Sequence, residues 1–314
     1  MLDHEEIHRT IKEGVDNNRI SVEVLNYDVA HILKELKLLR SDRLINAAMA
    51  LYAKNVKPGY GQCMIRLARF RGVDKLGDFI DNQRVYGNAF RLIASATEFA
   101  MRHLPIASFF ESGKMQRIDQ PAVPPLALRE ALINAISHRD YTNHNASIAL
   151  AIYDDRLELW NNGTLPPQLK LQDLRKQHQS YPRNEEIATI FYDRGWVEGW
   201  GTGTTRMIGY CQNNGTPEPE FQEYSGGFAV TFRFKESMGG EQKAESTKRR
   251  ELSVRQMKIL EILSKKQSSA NEIFDQLNDV TSVRTVQLDL AALEKLSLVE
   301  STGKGRATLW RLKA

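Results

Sequence analysis

Glu130 and Asn134 stand one helical turn apart, at i and i+4, in the run Glu130-Ala131-Leu132-Ile133-Asn134. The run continues into Ser137-His138-Arg139-Asp140-Tyr141, and Leu128, Leu132, Ile133 and Ile136 give it an apolar side. A magnesium–nucleotide site needs hard oxygen ligands and a base near the attacking water. Asn134 could supply a carbonyl oxygen to the metal, and Glu130 could polarise the water. A Glu-x-x-x-Asn pair also occurs as decoration on a solvated helix face, so the elements around it decide its meaning.

Those elements come in a telling order. Ser147–Tyr153 is apolar and β-prone, Asp154-Asp155 punctuates it, and Arg156–Trp160 alternates polar with apolar, which predicts a hairpin. The hairpin ends at Asn161-Asn162-Gly163. After an excursion of about forty residues, far longer than an ordinary loop, Gly199-Trp200-Gly201-Thr202-Gly203 opens a helical run over Thr204–Tyr210. A glycine-rich turn feeding a helix start lets backbone N–H groups approach phosphate oxygens, with the helix dipole favouring the anion. Phe228–Phe234 closes the region as another alternating strand.

Helix with Glu and Asn, hairpin ending in Asn-Gly, long lid, then a Gly-x-Gly helix start: the order resembles the Bergerat-fold (GHKL) ATPases, the gyrase, histidine-kinase and MutL superfamily. Ala127–Tyr141, Asn162-Gly163-Thr164-Leu165-Pro166, Pro182-Arg183-Asn184 and Gly201–Met207 resemble one branch more closely. That branch is the RecG-like C-terminal, or transcriptional-regulator, family. The resemblance is broad over residues 1–235 and sharp over 126–210. It implies an α+β fold: a Bergerat-type sandwich with helices on one face of a mixed sheet, an α/β N-terminal region and a C-terminal winged helix.

By the same resemblance Glu130 would be the general base and Asn134 the magnesium ligand, with ATP and Mg2+ as cofactors. Gly163 would lie beneath the adenine, and Gly201, Thr202 and Gly203 would line the triphosphate. Asn161 takes the place of the usual Asp in the Asp-x-Gly-x-Gly box, whose second glycine is replaced around Thr164-Leu165. An Asn accepts a hydrogen bond through its carbonyl but also presents donors, which weakens selection for the adenine amino group. His138 has two readings, a nucleotide contact or a hydrogen-bonding corner that caps the helix. Arg183 and Asn184 fall in the lid, Ser180–Trp200, where an exposed charge is the simpler reading of Arg183. The phosphate loop of a helicase motor, Gly-x-x-x-x-Gly-Lys-Ser/Thr, is absent from the sequence.

The C-terminal end carries a second pattern. Val254–Leu263 has helical spacing, Ser268 or Ser269 could cap a short helix to Leu277, and Thr281–Leu290 runs into Ala291–Leu296. Leu298–Ser301 and Thr308–Leu312 flank the basic, glycine-bearing Thr302–Arg306. Three helices and a basic hairpin make a winged helix-turn-helix, and Ser282–Leu290 resembles the recognition helix of DeoR-type regulators. Arg284, Thr285 and Gln287 suit major-groove base edges, and Lys304 and Arg306 suit phosphates or the minor groove. The same module can instead serve protein contacts. Residues 237–314 hold 14 basic and 10 acidic residues against 43 and 39 in the whole chain, so the formal excess of +4 resides there. A solvated linker, with the short basic cluster Lys248-Arg249-Arg250, precedes the module.

Four segments follow: an α/β N-terminal region (1–120) for packing or dimerisation, the ATP-binding domain (121–236), a linker (237–252) and the winged helix (253–314). Within the first, Val29–Leu39, Leu44–Tyr52 and Phe90–His103 read as helices and Cys63–Phe70 as a strand. In the resembled family a Schlafen/AlbA-type domain commonly precedes this region, and the chain begins after that point. Cys63 and Cys211 lack the spacing of a metal site and fit a reducing compartment. Without a membrane-length apolar stretch or a signal pattern, the sequence reads as cytoplasmic. The expected function is a homodimeric regulator that binds double-stranded DNA, with Mg-ATP altering its dimer geometry. An active ATPase in DNA metabolism or phage defence, or a degenerate scaffold that only binds DNA, are the alternatives.

Overall fold

The computed structural model describes residues 1–110, 117–144, 146–235, 254–277, 282–295, 298–302 and 308–313. They divide into units spanning Met1–Met238 and Gly239–Ala314. The first begins with α1 (His4–Asp16) and α2 (Val29–Glu35), a short ladder of β1 (Leu39–Arg40) and β2 (Arg43–Leu44), and α3 (Asn46–Tyr52). β3 (Met64–Phe70), β4 (Phe79–Tyr86), α4 (Ala89–His103), the pair β5 (Ile106–Phe110) and β6 (Arg117–Pro121), and α5 (Pro125–Ser137) follow. The hairpin β7 (Ile148–Ile152) and β8 (Arg156–Asn161) leads to α6 (Glu185–Asp193), α7 (Gly203–Asn213), β9 (Glu220–Tyr224) and β10 (Gly227–Arg233). The helix expected over Val29–Leu39 stops early. Lys37 turns left-handed (φ 58°) and the Leu38 N–H bonds back to the Leu33 carbonyl, which closes the helix end.

Six strands form one mixed sheet in the order β4-β3-β7-β8-β10-β9, with β3 and β7 parallel and the other pairs antiparallel. Register puts Ile65 beside Ile148 and Leu67 beside Leu150. Leu150 pairs with Leu159, and Leu159 with Val230. These residues are buried, and α4 and α5 pack against that side of the sheet. The alternate positions are less buried and mix Ala149, Ala151 and Trp160 with the ion pair Arg156–Glu158 (2.8 Å). Period-two burial therefore sets the helices on one face. Residues 1–120 and 121–236 share this sheet and one apolar cluster running from Leu2 to Phe232.

The excursion between β8 and α7 is not a free lid. Its middle is α6, whose Ile187, Ile190 and Phe191 are buried in the common core. Arg194, at the end of α6, anchors it to α1 with bonds to Glu13 at 2.7 and 2.8 Å and to Glu6 at 2.5 Å. Its guanidinium also lies 4.0 Å from the Phe90 ring centre and 4.8 Å from that of Trp196. Asn184 serves the other end: its side chain donates to the carbonyls of Ser137 (3.0 Å) and Arg139 (2.7 Å), the frayed end of α5.

The second unit contains α8 (Val254–Lys265), β11 (Ser268–Ser269), α9 (Ala270–Gln276), α10 (Val283–Lys295), β12 (Val299–Thr302) and β13 (Leu309–Leu312). Its strands run β11-β13-β12, all antiparallel, over a core that includes Ile259, Leu263, Ile273, Val286, Leu290 and Leu293. Ser269 caps α9 in a reciprocal box with Glu272. The wing-tip residues Lys304 and Arg306, the expected linker 237–252 and its basic cluster lie outside the described residues.

Arg194→Ala removes the buried cation that Glu6 and Glu13 share, leaving only the exposed Arg9 beside Glu6. Breaking a buried pair on one side costs about 3 kcal/mol, and urea unfolding of the variant against the parent measures it.

Candidate functional site

α5 is enclosed on nearly every side, with Ala127, Leu128, Ala131, Leu132, Ile133, Ala135 and Ile136 buried. α4, α6, α7 and β8 all pack against it. A carboxylate on such a helix is expensive unless it is partnered. Glu130 is 7% exposed, and burial pushes its carboxyl above the ordinary range. Arg206 on α7, Arg129 and a hydrogen bond from Asn134 pull the other way, while Glu198 adds to the burial effect. A carboxylate held in that balance is a stronger base than a surface Glu.

The i, i+4 spacing does bring Glu130 and Asn134 together, and both line one cleft of about 530 Å³. That volume lies in the range of small-molecule sites. Asn134 spends its amide N–H on Glu130 and keeps its carbonyl oxygen. One amide oxygen beside one carboxylate suits Mg2+, which takes most of its ligands from water and phosphate. Among the described residues there is no cluster of three or more His, Cys, Asp or Glu fit to hold a metal unaided.

The glycine loop closes over this pair. A Cβ built on Gly203 would stand 2.2 Å from Glu130 Oε1, so a side chain there would push the carboxylate and the Asn134 amide from their present places. Thr202, the N-cap of α7, makes no side-chain cap bond, and Thr202, Gly203 and Thr204 line the cleft, so the first turn of α7 lacks that acceptor for its N–H groups. Gly201 has φ +67° and packs against the His178 carbonyl. Gly201, Thr202 and Gly203 all line the cleft.

At the opposite wall, Asn161 is 3% exposed and its Nδ2 donates to the Ala135 carbonyl at 3.2 Å. A carbonyl only accepts, so this bond commits the donor end of the amide and leaves Oδ1 as its free acceptor. Gly163 sits next to it, where a Cβ would stand 1.9 Å from the His138 carbonyl. His138 ends α5 as its C-cap and also lines the cleft, so both of its sequence readings have a place. Burial, with Arg183 and His178 nearby, drives its imidazole from the ordinary 6.5 down to about 4. Arg183 is exposed and donates to Thr164 Oγ1 at 3.2 Å.

Three further cleft residues have no periodic signature in the sequence. His178 bonds Thr204 Oγ1 through Nε2 at 3.1 Å, Glu198 pairs with Arg206 at 3.5 Å, and Trp200 is largely exposed in the glycine loop. Arg206, one turn into α7, was visible only as part of the Gly201–Met207 run. In the second unit, Arg284 and Gln287 are exposed on α10, and Thr285 bonds the Ser282 hydroxyl at 3.1 Å at the helix start.

The His138 imidazole gives a pH signature. In the folded chain it stays neutral down to about 4, whereas the unfolded chain takes up the proton near 6.5. Its contribution to stability is complete above 6.5 and is lost as pH falls from 6.5 toward 4. Melting curves at pH 7.5 and 4.5 should therefore show a larger acid loss in the parent than in His138→Asn.

Residues 145–232 match a family model described as "Putative ATP-dependent DNA helicase recG C-terminal". The match starts after α5, so it takes in Asn161, Gly163 and the glycine loop but not Glu130, Asn134 or His138. No curated protein matches the chain. The crystal structure of the DIP2311 protein from Corynebacterium diphtheriae superposes with a TM-score of 0.59 at 16% identity, covering 98% of this chain. This chain spans 61% of the length of that one, and at such identity the likeness is one of fold. No helix among the described residues is long and apolar enough to cross a membrane. Residues 145–232 are thus similar to the RecG C-terminal, ATPase-type domain, within a mixed α+β fold.

Proposed function

We propose that the cleft binds ATP with Mg2+, in a domain of Bergerat type, and that the C-terminal unit is a winged helix that carries the protein to double-stranded DNA. The observation that carries the reading is the convergence of a buried Glu130, its Asn134 partner and an uncapped helix start at Gly203 on one cleft of nucleotide size. Bound Mg2+ would offset phosphate charge. Asn134 would hold it through Oδ1, the α7 N–H groups and Arg206 would meet the phosphates, and Asn161 Oδ1 would accept from the adenine amino group. Glu130 would orient the attacking water and take its proton. The match at residues 145–232 to an ATPase-type family supports this reading without reaching Glu130.

Nucleotide occupancy, in a homodimeric cytoplasmic protein, would then bias the geometry of two DNA-binding units. Such a bias requires the two states to differ in nucleotide affinity. Steady ATP turnover is the second reading, favoured by the raised Glu130 carboxyl.

Thermal melting tests the site. At a hundredfold excess over its dissociation constant, Mg-ATP should stabilise the parent by about 2.7 kcal/mol, and Asn134→Ala should abolish the shift. A parent indifferent to millimolar Mg-ATP would sink the nucleotide reading. Glu130→Gln should keep the shift and lose any turnover. For the second unit, Arg284→Ala should weaken DNA binding in fluorescence anisotropy by roughly tenfold or more, as expected for one base contact worth ~1–3 kcal/mol. No measurable binding of the parent to DNA would remove that half of the proposal.

A further inference from the structure

The segment between α6 and the glycine loop has no regular secondary structure, yet side chains from outside the cleft occupy its carbonyls. Arg19, just beyond α1, donates through Nη1 to the carbonyl of Tyr192 in the last turn of α6 and to that of Val197 within the segment, the latter at 3.0 Å. Its Nη2 meets Glu198 Oε2 at 3.4 Å, and its guanidinium lies 4.0 Å from the Tyr192 ring centre. Asn17 donates to the Arg194 carbonyl at 3.2 Å, and Arg129 to that of Trp196 at 3.2 Å. The other oxygen of Glu198 faces Arg206 at 3.5 Å. Tyr192, Val197, Glu198 and Arg206 line the cleft, whereas Arg19 does not.

From this geometry we infer that Arg19 is a positioning residue for the phosphate-binding loop, although it lies outside the cleft and far away in sequence. Its two carbonyl bonds fix the backbone that enters Gly199–Gly203. Its hold on Glu198 limits how far that carboxylate can draw Arg206 out of the cleft. Arg206 then stays beside the start of α7, where both can meet an anion. The anchoring is independent of any ligand, while its consequence for affinity rests on the nucleotide reading above.

The test pairs a ligand-free measurement with a ligand-dependent one. Hydrogen exchange of peptides covering residues 192–206 is compared in the parent, Arg19→Ala, Arg19→Lys and the control Arg9→Ala, an exposed arginine of α1 that touches Glu6 but no residue of 192–206. Mg-ATP affinity is measured by calorimetry on the same proteins and on Glu198→Gln, alone and combined with Arg19→Ala. Arg19→Ala should raise exchange in 192–206 and weaken Mg-ATP binding, each by about tenfold, the scale of losing a charged hydrogen bond. Arg19→Lys, able to face Glu198 but not both carbonyls, should recover part of the affinity, and Arg9→Ala should match the parent. The Arg19 and Glu198 substitutions should also combine non-additively.

Exchange in 192–206 that stays at the parental level in Arg19→Ala, or rises equally across β3 and β7, overturns the inference. So does parental affinity in Arg19→Ala. A parent that binds no Mg-ATP while Arg19→Ala still loosens 192–206 refutes the nucleotide reading and upholds the anchor. Should Arg19→Ala fail to fold, the Arg19→Lys comparison decides alone.

Discussion

Everything in the cleft depends on how closely α7 can approach α5. α5 is the most enclosed helix of the first unit, so a carboxylate at Glu130 is tolerable only with partners at hand. The glycine at 203 leaves the Glu130 carboxylate room beside the start of α7, where the Arg206 charge also acts on it. Polarity is thereby concentrated in a small volume walled by apolar side chains. There electrostatic interactions are stronger than at the surface.

The rest of the domain preserves that contact. The sheet supplies a flat apolar floor through the rows built on Ile65, Ile148, Leu150, Leu159 and Val230. α6 wedges into the same core, Asn184 closes the end of α5, and Arg194 ties the far end of α6 to α1. Each bond satisfies a group that burial would otherwise leave costly. The excursion after β8 is consequently a braced structure, and the carbonyls after α6 are held by side chains instead of by a helix or a ladder.

What the sequence made legible was whatever repeats locally. The apolar, β-prone Ser147–Tyr153 and the alternating Arg156–Trp160 predicted the hairpin, helical patterning predicted α4 and α7, and i, i+4 spacing predicted the pairing of Glu130 with Asn134. The parts that stayed hidden are single long-range contacts. Arg194 and Glu13 are far apart in the chain, as are Arg19 and Val197, and neither pair leaves a period to detect. Ser180–Trp200 read as a lid because of the long interval before the glycine loop and the family resemblance, although α6 buries Ile187, Ile190 and Phe191 in the core. The bond from Asn161 to Ala135, which settles how that amide is turned, is likewise a matter of packing between β8 and α5.

β8 and β10 are direct neighbours in the sheet, with Asn161 opposite Phe228. Two adjacent antiparallel strands need only a two-residue turn between them. Here residues 162–226 intervene, carrying most of the cleft wall. Closing a long loop costs entropy that grows only with the logarithm of its length. Between these two strands, then, the chain has room to lengthen or shorten its ligand-facing segment while the strand register beneath stays the same. The sheet is the fixed platform of such a design, and the excursion is the part on which new specificities can be built.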